Sequence, residues 1–277
     1  MHSVTEASEF FLERGGPHCR LVEQSIHTHF RRLVPLQSMA CFEALSGSIL
    51  DVGAGTGALA LDLAWRGGGK VFVTALDNDR EALKIAQGIS DHVGVGISAL
   101  GGNAYALPVK DASQDVTVAR YLFQHLREPA AALLQMRRVT RPGGRIVIID
   151  VDDEVVLCDP AEQHMVNLRK ALGVLQAKRG GNRSIGRQLY RLMRQAGLEA
   201  IQVIVIPFVR MGLQNGRSCE LEAFKVERVL EERKELLDSA IMSAQDFDLA
   251  VSELKQGFAQ DRFEMDADFV ATGLAPQ

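Results

Sequence analysis

Asp51-Val52-Gly53-Ala54-Gly55-Thr56-Gly57, with Asp77 twenty positions further on, has the residue types and spacing to hold a nucleoside. Three closely spaced glycines let the backbone bend sharply and come close to a ligand, with its N–H groups and the next helix N-terminus facing outward. Asp77 ends the apolar run Val71-Phe72-Val73-Thr74-Ala75-Leu76. A carboxylate at such a strand end can accept hydrogen bonds from both hydroxyls of a ribose. Its bland alternative is to cap a helix starting near Arg80. Gly53, Gly55 and Ala58 also satisfy the dinucleotide pattern G-x-G-x-x-A. Asp51 argues against that ligand, because a negative charge two residues before the first glycine repels a pyrophosphate. It suits a cationic sulfonium with an ammonium group nearby, as in S-adenosylmethionine. Arg80 could meet the 2′-phosphate of NADP, but Asp77 and Asp79 beside it oppose that.

Other candidates lie downstream. Arg120 ends the fourth predicted strand and Tyr121 follows it, at the mouth of the same cleft. His125, in Gln124-His125-Leu126, can take a proton from a hydroxyl nucleophile, or can hold its helix to the neighbouring loop. His164 can point into the site from the helix after strand five, or can be a surface or packing residue, and His18, His27 and His29 share that ambiguity. Asp152-Asp153-Glu154 reads as a solvated acidic loop with a metal site as the alternative, and no metal is expected.

The elements that must position these residues alternate from Ile49 onward. The pattern gives strand 49–52, helix 58–66, strand 71–76, helix 80–90, a strand near 97–101, strand 115–120, helix 129–140 and strand 145–151. Pro129 suits a first helical turn, and Pro142-Gly143-Gly144 stops that helix. Such alternation implies a parallel sheet with helices on both faces. Then come helix 160–178, a helix carrying Ile185, Leu189, Leu192 and Ala196 and ended by Gly197, and strand 199–206 stopped by Pro207. Two helices fit 219–258. Ser243 and Asp246 resemble a capping box ahead of the apolar stripe Phe247, Ala250, Val251, Leu254 and Phe258. A last strand spans about 262–272. Residues 1–45 read as an N-terminal helical segment, and 46–277 as one domain with helical insertions near 155–182 and 213–260. These helices are expected to cap the carboxyl ends of the strands.

As a group, these motifs resemble the small-molecule class I methyltransferases, including those of ubiquinone and menaquinone biosynthesis and natural-product tailoring. The resemblance is carried by Asp51 to Gly57, Leu76-Asp77, Asn103-Ala104-Tyr105-Ala106-Leu107-Pro108, Leu122 to Leu126 and Arg141-Pro142-Gly143-Gly144. It runs from about Ile49 to Val151. A weaker likeness extends to Arg20-Leu21-Val22-Glu23-Gln24, and Phe263 to Gly273 is similar to the family's last strand. The resemblance implies a doubly wound α/β, Rossmann-like sheet of seven strands, mostly parallel with the last antiparallel, and a helical cap. It implies S-adenosyl-L-methionine as cofactor, held by Arg20, Asp51, Gly53, Ala54, Gly55, Gly57, Asp77, Asn78, Asn103, Ala104, Arg120 and Tyr121, with His125 or His164 as candidate catalytic groups. Members usually carry Asp where this chain has Asn103. An amide oxygen still accepts from adenine N6, without charge assistance. Arg20 matches the cofactor carboxylate two-pronged, or is a solvated helix-face arginine.

Composition bounds the partners. At 277 residues the chain can bury one good core and carry extra helices. A net charge of −4 argues against a nucleic-acid duplex. No apolar run approaches the roughly 20 residues a membrane span needs, and residues 1–30 lack the pattern of a signal peptide. Cys19, Cys41, Cys158 and Cys219 are far apart, which suits free thiols in a reducing cytoplasm. The expected partner is a small, partly apolar acceptor with O-methylation favoured and C- or N-methylation as alternatives, for a monomer or homodimer. An NAD(P) oxidoreductase and a catalytically inactive cofactor-binding regulator are the competing readings.

Overall fold

The computed structural model describes residues 46–211, 226–257 and 262–277; the expectations for 1–45, Arg20 among them, lie outside these residues. Alternating apolar runs become strands β1 (Gly47–Val52), β2 (Val71–Asp77), β3 (Ser98–Gly101), β4 (Gln114–Arg120) and β5 (Thr140–Val151). Between them lie α1 (Ala58–Gly67), α2 (Arg80–Val93) and α3 (Pro129–Val139). A short β6 (Leu157–Asp159) precedes α4 (Gln163–Lys178), α5 (Leu189–Gln195) and β7 (Glu199–Met211). Residues 226–231 are helical, followed by α6 (Arg233–Asp238), α7 (Ala244–Gly257) and β8 (Phe263–Leu274).

The sheet has eight strands, and β3, β2, β1, β4 and β5 run parallel in that order. β8 is antiparallel to β5 through residues 268–274, and pairs along its whole length with β7. β6 pairs with residues 263–265 of β8, adding one short strand to the seven expected. The mostly parallel Rossmann-like sheet with an antiparallel end is thus borne out. Placing every β1, β2 and β4 carboxyl end on one side puts the glycine loop and the ends of β2 and β4 at a single crevice, where such sheets bind ligands.

Side-chain alternation along the strands feeds two cores. Ile49, Val73, Ala75, Val118, Val147 and Ile149 pack with α1 and α2 residues such as Leu59, Leu63 and Ala86. Leu50, Val52, Ala119, Ile146 and Ile148 pack with Leu133 and Met136 of α3 and Leu189 and Leu192 of α5 on the opposite face. A third core is helical throughout: Met165, Leu168, Ala171 and Leu175 of α4 meet Val226, Leu236, Phe247, Ala250, Val251 and Leu254. The stripe expected on α7 contributes as many of these residues as α4 does. Phe258 lies outside the described residues.

Three boundaries differ from the sequence expectation. Pro207 does not stop β7, which continues to Met211 with Pro207 opposite Ala267. A strand paired along only one side can lose an amide donor on the other, so proline is tolerated there. β5 starts at Thr140, not 145, because Thr140 already pairs with Gln114 before a register shift. Helix α4 starts at Gln163, three residues after Pro160. Ser243 caps α7 as expected, its Oγ accepting from Asp246 N at 3.1 Å and donating to Asp246 Oδ2 at 2.6 Å.

Candidate active site

Gly53 N and Ala54 N both donate to Leu76 O, at 2.8 and 3.0 Å, so the glycine turn is pinned to the end of β2. Gly53, Gly55 and Gly57 have φ of +74°, +54° and +79°, a region L-residues enter only at a cost. A Cβ at Gly53 would stand 2.8 Å from Leu122 Cδ1, and one at Gly57 2.7 Å from Ala86 Cβ. A Cβ at Gly55 would meet nothing within 4 Å, because that residue faces the crevice.

Asp77 ties the turn together from the other side. Its Oδ2 accepts from Gly55 N at 2.7 Å and its Oδ1 from Asp79 N at 2.9 Å. Asp79, not Asp77, caps α2, accepting from Glu81 N and Ala82 N. The bland alternative for Asp77 is therefore taken up by its neighbour. A carboxylate has about four lone-pair sites, so two remain for hydroxyl donors. Asp51 is 1% exposed, and its Oδ2 has no hydrogen-bond partner among the described residues. Burial pushes its carboxyl up to about 7, against the opposing pull of Arg120 and with a further push from Asp77. A buried acid with one unpaired oxygen beside a glycine cradle is an arrangement a cationic ligand completes.

These groups open on a cavity of about 760 Å³. Asp51, Gly53, Ala54, Gly55, Asp77, Asn78, Arg120, Tyr121 and His125, all named from sequence, line it. Gly57, Asn103, Ala104 and His164 do not. Gly57 is the N-cap of α1, behind the wall. Asn103 is exposed, and its side-chain oxygen closes a local turn by accepting from Tyr105 N at 2.9 Å. Ala104 packs against the core beneath α3 and α5. His164 lies among the helices, with Nε2 3.9 Å from Glu253 Oε1 and a buried Nδ1 that has no hydrogen-bond partner among the described residues.

The wall after β4 is held from three sides. Tyr121, at φ +54°, donates its N–H to Ile149 O at 2.8 Å and its hydroxyl to Asp268 Oδ2 at 2.7 Å. The Arg120 guanidinium lies 5.5 Å from the Tyr121 ring centre. A 3₁₀ turn, Phe123–His125, follows. Gln124 N donates to Asp150 Oδ2 at 3.1 Å; burial, and Asp268 nearby, push Asp150 up to about 7. Gln124 O accepts from Asn182 N at 2.7 Å and from Gln176 Nε2 at 3.0 Å.

Most of the opposite wall was not named from sequence. It is built from Met165, Leu168 and Leu172 of α4, with Val229 and Leu254, and carries Arg262 at its edge. The sequence makes these helices a cap over the strand ends, but of the wall residues it names only Leu254, as part of an apolar stripe, because periodicity does not say which apolar positions face a cavity. The acidic loop Asp152-Asp153-Glu154 is solvated only in part: Glu154 is exposed, Asp153 half-buried and Asp152 buried. Arg187 pairs with Asp152 and with Glu154 at 2.8 Å, Arg183 pairs with Asp153, and Asp152 is 2% exposed. Among the described residues no cluster of three or more His, Cys, Asp or Glu side chains is placed to hold a metal.

Residues 46–197 match a family described as a methyltransferase domain. A protein of Streptomyces fradiae, described as an uncharacterized 37.1 kDa protein in transposon TN4556, is 31% identical over 75% of this chain and 60% of its own length. The demethylmenaquinone methyltransferase of Lactococcus lactis is 32% identical over 47% of this chain and 53% of its own length. The chain thus spans a little over half the length of these two curated relatives. Among solved structures, the YcgJ protein from Bacillus subtilis superposes with a TM-score of 0.57 at 19% identity, covering 90% of this chain and 99% of that one.

Proposed function

The chain belongs to the class I S-adenosylmethionine-dependent methyltransferases, and we propose that it methylates a small, partly apolar acceptor, with oxygen as the favoured nucleophile over carbon or nitrogen. The observation that carries this reading is the cradle formed by Gly53, Gly55, Asp77 and the buried Asp51 carboxyl with its unpaired Oδ2. These residues fit the cofactor. The Asp77 carboxylate has lone pairs left for two ribose hydroxyls. The bare Gly55 backbone lets a ligand lie against the turn. Asp51, buried at the end of β1, balances positive charge near the methionine end. When bound, S-adenosylmethionine supplies an electrophilic methyl carbon on a positively charged sulfur.

The chain's own part in the transfer is positioning and exclusion of water. An in-line displacement needs the nucleophile about 3 Å from the methyl carbon along the S–C axis. Met165, Leu168, Leu172, Val229 and Leu254 give the acceptor an apolar wall facing the glycine loop. Burying an apolar acceptor there removes water from the reacting centre. We assign α4 and the helices within 226–257 as the cap that selects the acceptor, on the domain 46–277; the expectation for 1–45 lies outside the described residues. Arg120 and Tyr121 bound the methionine end, and Asn78 the ribose end.

Calorimetric titration separates the cofactor classes. Binding of S-adenosylhomocysteine with no binding of NADH is expected; the reverse would make the chain an NAD(P) oxidoreductase. A screen of phenols, quinols, amines and thiols with methyl-labelled cofactor then tests turnover. Tight cofactor binding without methylation of any of them would favour a catalytically inactive cofactor-binding regulator.

A further inference from the structure

Gln176, on α4, is 9% exposed and points its amide nitrogen at two atoms. One is the backbone oxygen of Gln124, at 3.0 Å; the other is Nδ1 of His125, at 2.8 Å. The first contact fixes which end of the amide is nitrogen, because a backbone carbonyl can only accept. That nitrogen carries two hydrogens, and the second lies against Nδ1. Nδ1 must then hold a lone pair, so the proton of the neutral ring sits on Nε2. Nε2 is the only other ring nitrogen, and His125 lines the cavity.

We propose that Gln176 locks His125 as the Nε2–H tautomer, so that the ring offers the acceptor no lone pair and does not serve as its base. This rests on the methyl-transfer reading of the site. Gln176 is a positioning residue, and the 3₁₀ turn bearing His125 is held against it. Gln124 O takes Asn182 N as well as the Gln176 amide, and Gln124 N is fixed to Asp150. The consequence is a substrate class. A ring whose Nδ1 lone pair is taken by Gln176 and whose Nε2 is protonated cannot remove the acceptor's proton, so the site favours an oxygen that has already lost it to solvent, a phenolate or an enolate. The oxygen, or the ring carbon it activates, forms the new bond to the methyl carbon. The C–S bond breaks with its electron pair going to sulfur, and a neutral thioether leaves. With oxygen as nucleophile no proton needs removing in the step; with carbon, the ring proton is lost afterwards to solvent. A neutral alcohol or a weakly acidic phenol would need a base that His125 in this tautomer is not.

The test is a long-range ¹⁵N–¹H correlation spectrum of the full chain labelled at its histidine nitrogens, with S-adenosylhomocysteine present, at a pH where the ring is neutral. His125→Asn assigns the signal by its loss. A protonated Nε2 with a bare Nδ1 is expected; a protonated Nδ1, or a mixture of tautomers, overturns the proposal. In Gln176→Glu the carboxylate can only accept, so the proton should move to Nδ1. An unchanged tautomer in that variant overturns the role of Gln176. Should Gln176→Glu not fold, Gln176→Leu removes both donors and should give mixed tautomers. A phenol series of graded acidity with labelled cofactor tests the substrate class. Phenols ionised at the assay pH should react at least about tenfold faster than un-ionised ones, the low end of a general-base contribution. Equal rates, or no phenol or enol turned over, overturn that half. Failure to bind S-adenosylhomocysteine would sink the methyltransferase reading while leaving the tautomer measurable.

Discussion

At the scale of single residues, Asp77 has two tasks. It holds Gly55 N and Asp79 N, and in the proposed cofactor site its remaining lone pairs take a ribose. Asp77→Ala removes both, and should weaken S-adenosylhomocysteine binding by at least about tenfold, or about 1.4 kcal/mol, measured by calorimetry. Unchanged affinity would refute the ribose assignment. Asp51 predicts a pH dependence. Its carboxyl titrates at about 7 in the free protein because burial disfavours the charge. A bound cation favours the carboxylate, so binding S-adenosylmethionine expels a proton below pH 7. Affinity for the cation should rise with pH by at most about tenfold per unit and level off above 7. Asp51→Asn should bind more weakly and show no such rise. A wild-type affinity that does not change between pH 6 and 8 would place the cation elsewhere.

At the scale of elements, the site depends on how short segments are tied to longer ones. The 3₁₀ turn Phe123–His125 has too few internal hydrogen bonds to fix itself, and takes its position from β5 through Asp150 and from α4 through Gln176. α7 carries much of the third core, and its start is set by the reciprocal Ser243–Asp246 cap. Ser243→Ala should cost about 1 kcal/mol. The melting temperature should fall by about 2–4 °C in a cooperative unfolding transition. No change would mean that α7 is held by its apolar face alone. The sequence located this cap, because capping is decided within one turn. It did not locate the true start of β5 or the passage of β7 through Pro207, because pairing partners far along the chain decide those.

At the scale of the whole molecule, the fold buries carboxyl groups that favour their protonated form. Asp150 is pushed from an ordinary value of 3.8 to about 7 by burial, with Asp268 adding to the push. A group raised in this way contributes stability that is fully present below about pH 4 and lost as pH rises through 7. Without cofactor, Asp150→Asn should therefore gain melting temperature relative to the wild-type chain on going from pH 5 to pH 8. It still gives up backbone donors that the carboxylate accepts, Gln124 N or Val151 N among them, so the difference between the two pH values is the quantity to read. A difference that does not change with pH would mean that Asp150 ionises normally. Asp115 works in the opposite sense: Ser48 N, donating at 2.7 Å, holds its carboxyl low, and that stability is lost as pH falls.

The amino-acid sequence by itself determined the alternation of strand and helix, the glycine turn and the acid at the end of β2. Each is a local matter, of side-chain period, of φ angles only glycine adopts easily, or of a fixed spacing along one βαβ unit. Tertiary structure alone decided that Asp79 rather than Asp77 caps α2, that arginines 183 and 187 neutralise the acidic loop, and that α4 turns apolar side chains toward the glycine loop. It also brought Gln176, fifty-one positions away, to within 2.8 Å of His125 Nδ1. Such choices depend on which atoms packing brings within about 3 Å of one another, the reach of a hydrogen bond, and no residue carries that information alone.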